Sequence, residues 1–315
     1  MLKKELLFEF KSPSRDSLKV YGFRFIPNSK KRPKNKVAIV AAMNGDELNQ
    51  LYLASKLVNY LTKQDEQNSE FLQTEILIIP SVNHFALNMM QRYWPLDKTD
   101  INMMFPGYEL GETTQRIAHK LFQKLQGYKY GIILEDRKDK AVCIPYVKIL
   151  ESGYQDIELS KAFGLKFVHL KEVSPTDTGT LQYNWEIWNT KTFSLVYGSK
   201  ASINEEHYKI AFDAMLRFLS KIKAINIKVL NNFDSNVVRR EQIDVLKAKQ
   251  SGIFEPICKI GDIIKKDQKI GTISDSLNGE ILDEIKSPAD GVITCMYSFP
   301  LIFQNSVCFR IAHQK

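Results

Sequence analysis

The chain changes its hydrophobic rhythm about two thirds of the way along. Positions 6–10 and 18–26 alternate apolar and polar residues, which predicts two antiparallel strands joined by a charged loop. Positions 37–43 and 75–82 are apolar almost throughout and read as buried strands. Between them, Leu48, Leu51, Tyr52, Ala54, Leu57 and Leu61 fall on one face at helical spacing, predicting a helix over 46–61. Helices are also expected at 84–91, 113–125 and 204–222, the last with Tyr208, Ile210, Ala211, Met215, Phe218, Leu219 and Ile222 facing inward. Short apolar segments at 130–134, 166–170 and 192–197 complete a pattern of strands alternating with helices. That pattern predicts an α/β fold whose mixed, parallel-rich sheet is covered by helices on both faces.

After about residue 224 helical periodicity stops. Short strand-like pieces separated by Gly, Asp and Pro take over, and the stretch opening at Ser287-Pro288-Ala289-Asp290-Gly291 weakly repeats the one opening at Ser251-Gly252-Ile253-Phe254. The expected organisation is therefore a large α/β domain over 1–224 and a small C-terminal β barrel-sandwich domain over 225–315. Lipoyl and biotinyl carrier domains look alike here. However, the hairpin turn Asp275-Ser276-Leu277-Asn278-Gly279 has no lysine to carry a cofactor.

Composition narrows the function classes. A hydrophobic content of 44% with 25% charged residues is that of an ordinary globular chain, and no apolar stretch approaches the ~18–20 residues of a membrane span. Met1-Leu2-Lys3-Lys4-Glu5 has no secretory apolar core, so a cytoplasmic location is expected. The net charge of +8 is partly concentrated in Lys30-Lys31-Arg32-Pro33-Lys34-Asn35-Lys36. Without interleaved aromatics this run reads as a solvated loop, and neither nucleic acid nor membrane is expected as a partner. Cys143, Cys258, Cys295 and Cys308 show no CxxC spacing and are expected as small core residues in a reducing compartment. A Cys143 nucleophile has no histidine near it in sequence. His84, His119, His169, His207 and His313 offer no HxxxH or HxxH pair.

The candidate chemistry lies at strand ends. The apolar run 37–43 delivers Asn44-Gly45-Asp46-Glu47; later come Asn83-His84-Phe85-Ala86, Arg92, Asp100-Ile101-Asn102-Met103, Phe105-Pro106-Gly107, the strand end Ile133-Leu134-Glu135-Asp136, and Ser194-Leu195-Val196-Tyr197-Gly198 ahead of the last long helix. In this order the motifs resemble those of the aspartoacylase and succinylglutamate desuccinylase family, relatives of the zinc carboxypeptidases, over nearly the whole chain. The resemblance implies a carboxypeptidase-like fold and zinc-dependent amide hydrolysis of N-acyl amino acids. It places zinc ligands at Asn44, Glu47 and Glu135, a carbonyl-polarising arginine at Arg92, a substrate-carboxylate contact at Asn102, a carboxylate clamp at Met103 and the general base at Val196.

This chain departs from the family pattern at four of those places. Asn44 and Glu135 stand for histidines, Met103 for the clamp arginine and Val196 for the basic glutamate. Zinc favours imidazole and thiolate, whereas an amide oxygen and two carboxylates suit Mg²⁺, Mn²⁺ or Ca²⁺. No tightly bound cofactor is expected, with zinc by resemblance or a harder divalent cation as the candidates. The expected function is a non-hydrolytic protein that binds a small molecule or short peptide. The alternative is an active metal-dependent deacylase or peptidase with a non-standard ligand set. Other roles stay open for single residues: Glu47 as a helix-start carboxylate, Glu135 and Asp136 as strand-end charges paired with Arg137 or Lys138, Arg92 as a structural cation, and Glu186 as a substitute base.

Overall fold

A computed structural model describes all residues except 12–15, 29–34, 138–139, 199–201, 230–233 and 314–315. Most of the lysine-rich run expected to be a loop, and Lys138, therefore lie outside the described residues. The order is β1 (Leu2–Phe10), β2 (Leu18–Phe25), β3 (Val37–Val40), α1 (Leu48–Gln67), β4 (Ile76–Ile79), α2 (His84–Asn88), α3 (Thr113–Leu125), β5 (Tyr130–Glu135), β6 (Ala141–Glu151), α4 (Ile157–Ser160), β7 (Phe167–Glu172), α5 (Leu181–Ile187), β8 (Lys191–Gly198) and α6 (Glu205–Lys221). The C-terminal part adds β9 (Asn236–Val238), β10 (Ile243–Lys247), β11 (Gly252–Pro256), β12 (Ile263–Ile264), β13 (Lys269–Ser274), β14 (Ile281–Lys286), β15 (Gly291–Tyr297), β16 (Leu301–Ile302) and β17 (Val307–His313).

The middle of the main sheet is parallel, in the order β4-β3-β5-β8. β2 pairs antiparallel with β4 on one side, and β6 pairs antiparallel with β8 on the other. The central strands are buried on both faces, and their residues alternate between two cores. Val37, Ile39, Ile76, Ile78, Ile132 and Leu134 pack with Leu53, Leu57 and Leu61 of α1 and Ala211, Met215 and Phe218 of α6. Ala38, Val40, Leu77, Ile79 and Ile133 pack with Ile117 and Leu121 of α3 and Leu181 and Trp185 of α5. Burial on both faces is why these runs are uniformly apolar rather than alternating. α6 starts where Asn204 caps the His207 N–H at 2.9 Å, with Glu205 and Glu206 in the first turn. Two positions expected to face inward do not: Ile210 of α6 and Leu48 at the start of α1 are exposed.

β6 carries no strand expectation from sequence, because Pro145 interrupts it. The register of β6 against β8 shifts between Cys143 and Tyr146, so the proline sits at a ladder irregularity, the place a sheet tolerates one. β6 also joins the two parts of the chain. Its first residues pair antiparallel with β15, so β15, β17 and β10 continue the same thirteen-stranded sheet. A separate four-stranded sheet, β14-β13-β11-β16, closes the C-terminal sandwich around Phe254, Ile273, Ile293 and Phe309.

The β6–β15 pairing corrects the cysteine expectation. Cys143 and Cys295 face each other directly in the register, with Cα atoms 4.0 Å apart, and form a disulfide; Cys258 and Cys308 remain thiols. The two partners are 152 residues apart, so spacing along the chain carried no sign of the bond. No helix among the described residues is long and apolar enough to cross a membrane.

Candidate functional site

A cleft of about 440 Å³ opens at the carboxyl ends of β3 and β5, where an α/β sheet places its ligands. Asn44, Glu47, Arg92, Asn102, Met103, Glu135 and Val196 all line it. Gly45 makes the first corner possible. A Cβ there would meet the backbone of Ala86 and of Gln91 at 2.2 Å, and the Gly45 N–H donates to the Arg92 carbonyl at 3.2 Å. This close approach sets Arg92 beside the Asn44–Glu47 turn.

Glu47 is buried and turned back on that turn. The Asn44 backbone N–H donates to its Oε2 at 3.0 Å and the Asn44 Nδ2 to its Oε1 at 3.3 Å. It stands at the N-cap of α1 and makes no side-chain cap bond. Burial pushes its carboxyl up to about 8; the Asn44 N–H and Arg92 pull it down, while Glu135 and Asp136 add to the rise. Asn44 Oδ1 is buried with no hydrogen-bond partner in the protein, leaving an acceptor for a ligand or water.

Arg92 is pre-engaged by carboxylates, with Asp100 at 3.2 Å and Asp46 at 3.6 Å. Burial alone would lower its pKa; Asp100, Glu47 and Asp46 outweigh burial and raise it. Asn102 spends its Oδ1 on the Leu181 N–H at 3.1 Å, which anchors the start of α5. Its position in the cleft thus has a structural purpose, and Asp100 caps the turn that carries it.

Glu135 closes β5 and neighbours Val196 of β8 in register, which in turn neighbours Tyr146 of β6. The Glu135 carboxylate is held by the Lys148 ammonium at 2.5 Å and lies 2.9 Å from Ser194 Oγ. Its partner is therefore Lys148, across the sheet, and not a charge next to it in sequence.

Sequence reasoning missed a second polar face of the cleft. Tyr146 and Lys148 on β6, and His169 and Lys171 on β7, point the same way, with Lys148 opposite His169 in register. The signal was present as polar residues at a period of two inside apolar strands. Arg137, Asp177 and Arg310 complete this face. Lys171 grips Asp177 at 2.6 and 2.7 Å. His169 is pushed down to about 4 by burial and by the charges of Lys148, Arg137, Lys171 and Arg310, so it is neutral at physiological pH.

Two other candidates lie elsewhere. His84 stacks on Phe85 outside the cleft lining. Glu186, on α5, is buried against Ser152 Oγ at 2.8 Å and does not line the cleft, so it cannot act as a substitute base. Burial lifts its carboxyl to about 7 from 4.5. Between those values the unfolded chain releases a proton that the folded protein keeps, so stability falls as pH rises from about 4.5 to about 7. Glu186→Gln should remove that slope and gain up to ~3 kcal/mol at pH 8 relative to pH 4. Urea melts of both proteins at the two pH values check this, and parallel pH profiles would refute it.

The donor set does not fit zinc. It comprises one amide oxygen and two carboxyl groups, one of them held by an ammonium, with no imidazole or thiolate. Among the described residues no group of three or more His, Cys, Asp or Glu side chains is arranged to hold a metal ion.

The sequence matches the succinylglutamate desuccinylase/aspartoacylase catalytic domain over residues 33–222. No curated protein sequence matches. Among solved structures, an aspartoacylase family protein from Mesorhizobium loti is 19% identical, with a TM-score of 0.77 covering 100% of this chain and 95% of that one. The product-bound ectoine utilization protein EutE (DoeB) from Ruegeria pomeroyi gives 0.80 at 15% identity, covering 99% and 95%. A succinylglutamate desuccinylase/aspartoacylase from Rhodobacter sphaeroides gives 0.78 at 18% identity, covering 95% and 91%.

Proposed function

Because the chain belongs to the succinylglutamate desuccinylase/aspartoacylase family, matched across its catalytic domain, we propose that it is a member which binds an N-acyl amino acid or short peptide in the cleft without hydrolysing it. The observation that carries this reading is the Lys148–Glu135 ion pair at 2.5 Å. It sets a fixed ammonium beside a carboxylate at a family zinc-ligand position, and no second cation is needed to balance that carboxylate. Val196 beside it is an apolar residue that accepts no proton, and loss of a general base alone removes about 10²–10⁴-fold in rate.

The remaining groups suit recognition of an amide. Asn44 Oδ1 is an open acceptor for a ligand N–H, and the Arg92 guanidinium is a donor for its carbonyl. Met103 cannot donate to a free carboxylate, so that end of the ligand falls to the cationic face of Lys148, Lys171 and Arg310.

The test is calorimetry with N-acetyl-L-glutamate, N-acetyl-L-aspartate and N-succinyl-L-glutamate, alongside an amine-release assay with and without added Zn²⁺. At least one compound should bind and none should be turned over. Arg92→Ala should weaken binding by about tenfold, the loss of one charge-assisted hydrogen bond. Turnover by the wild-type protein that Glu47→Ala abolishes would overturn the reading.

A further inference from the structure

Six strands at the junction of the two parts of the chain pair in one unbroken order, β9-β7-β6-β15-β17-β10. The two end strands, β9 and β10, follow one another in the chain with only residues 239–242 between them. The row of strands is thus brought round towards its own start, and it encloses a slot of about 70 Å³. Each of the six strands gives the slot an apolar wall residue: in the order of pairing, Val238, Phe167, Ile144, Cys295, Ala312 and Ile243. The space inside a sheet curled in this way is a common place for a small ligand.

The charges around the slot have one sign. Arg137, Arg240 and Arg310 line it, and none of the described lining residues is Asp or Glu. The Arg137 guanidinium donates to Tyr146 Oη at 3.2 Å and the Arg240 guanidinium to the Ile243 carbonyl at 2.9 Å, so both groups lie against other lining residues. Arg137 and Arg310 also stand near enough to His169 of the lining to help keep its imidazole neutral. A guanidinium carries five N–H donors in a fork that fits a carboxylate. Asn44, Glu47 and Arg92 of the cleft do not line the slot.

We infer that the slot is a separate binding site for a short-chain aliphatic monocarboxylate, with the hydrocarbon chain against the six apolar walls and the carboxylate at the arginines. One water needs about 10–15 Å³, so 70 Å³ takes about five to seven non-hydrogen atoms, the size of butanoate. Apolar walls favour carbon over water in that space. Three guanidinium groups with no acid among the lining residues select an anion over a cation of the same length. The site stands whatever the cleft binds.

The test is calorimetry with butanoate, acetate and butylammonium. The wild-type protein should bind butanoate saturably and butylammonium not at all. Acetate should bind about fifteenfold more weakly than butanoate, because it lacks two methylenes worth about fourfold each. Ile243→Trp puts an indole into the slot and should remove butanoate binding. Arg240→Met, a change at an exposed position, should weaken it about tenfold. No butanoate binding by the wild-type protein, equal binding of butanoate and acetate, or equal binding of butanoate and butylammonium would overturn the site. Wild-type butanoate affinity in a folded Ile243→Trp would place the ligand elsewhere and overturn it too. The ligand comparisons and Arg240→Met decide the matter even if Ile243→Trp fails to fold.

Discussion

Reduction of the Cys143–Cys295 bond should lower the unfolding free energy by about 3–5 kcal/mol, a large share of the total for a chain of this size. The size of the effect comes from the loop the bond closes. With the partners 152 residues apart in sequence, fixing their ends removes about 5 kcal/mol of chain entropy from the unfolded state in the loop-closure account. The bond also holds the ladder that ties β6 to β15, three residue pairs long. Urea unfolding of the wild-type protein with and without reductant, and of Cys143→Ser/Cys295→Ser, should show the same loss in both reduced forms. Alkylation of both cysteines in the untreated native protein, or equal midpoints with and without reductant, would show that the bond does not form.

The parts of the fold that follow local rules are legible in the sequence. Uniform apolar runs became the two-faced central strands, and Asn204 followed by Glu205 and Glu206 marked the start of α6. The strand-end positions Asn44, Glu47 and Glu135 could be read because each closes or follows an apolar run. What those side chains touch could not be read. Glu135 finds Lys148 through the β6–β8 and β5–β8 pairings, Asn102 finds Leu181 across 79 residues, and Arg92 is shared between carboxylates before and after it in sequence. The first of these depends on strand order and the others on how loops fold back onto the sheet's end, neither of which propensity encodes. β6 was lost for the related reason that Pro145 breaks its local pattern, and with it went the whole cationic face built on Tyr146, Lys148, His169 and Lys171.

The other large effect should come from rebuilding the family's metal position. Asn44→His, Glu135→His and Lys148→Met together should raise zinc uptake from none, the outcome expected of the wild-type protein, to about one zinc per chain, with two imidazoles joining Glu47. The third change is required by the structure. With Glu135 replaced, the Lys148 ammonium would be left beside a cation with no carboxylate partner, and its repulsion would oppose the metal. Asn44→His/Glu135→His without Lys148→Met should therefore bind zinc more weakly than the triple variant. Glu47 would also be expected to lose the proton that burial now keeps on it, because a neighbouring dication outweighs the desolvation that raises it to about 8. Elemental analysis after zinc loading and gel filtration reads the stoichiometry directly. Amide hydrolysis should stay at background in the triple variant, since Val196 accepts no proton. Val196→Glu on top would place a carboxylate among Cys143, Tyr146 and Cys295, at a cost of several kcal/mol in stability. Stoichiometric zinc in the wild-type protein, or none in the folded triple variant, would contradict the reading of Lys148 as the residue that stands in for the metal's charge.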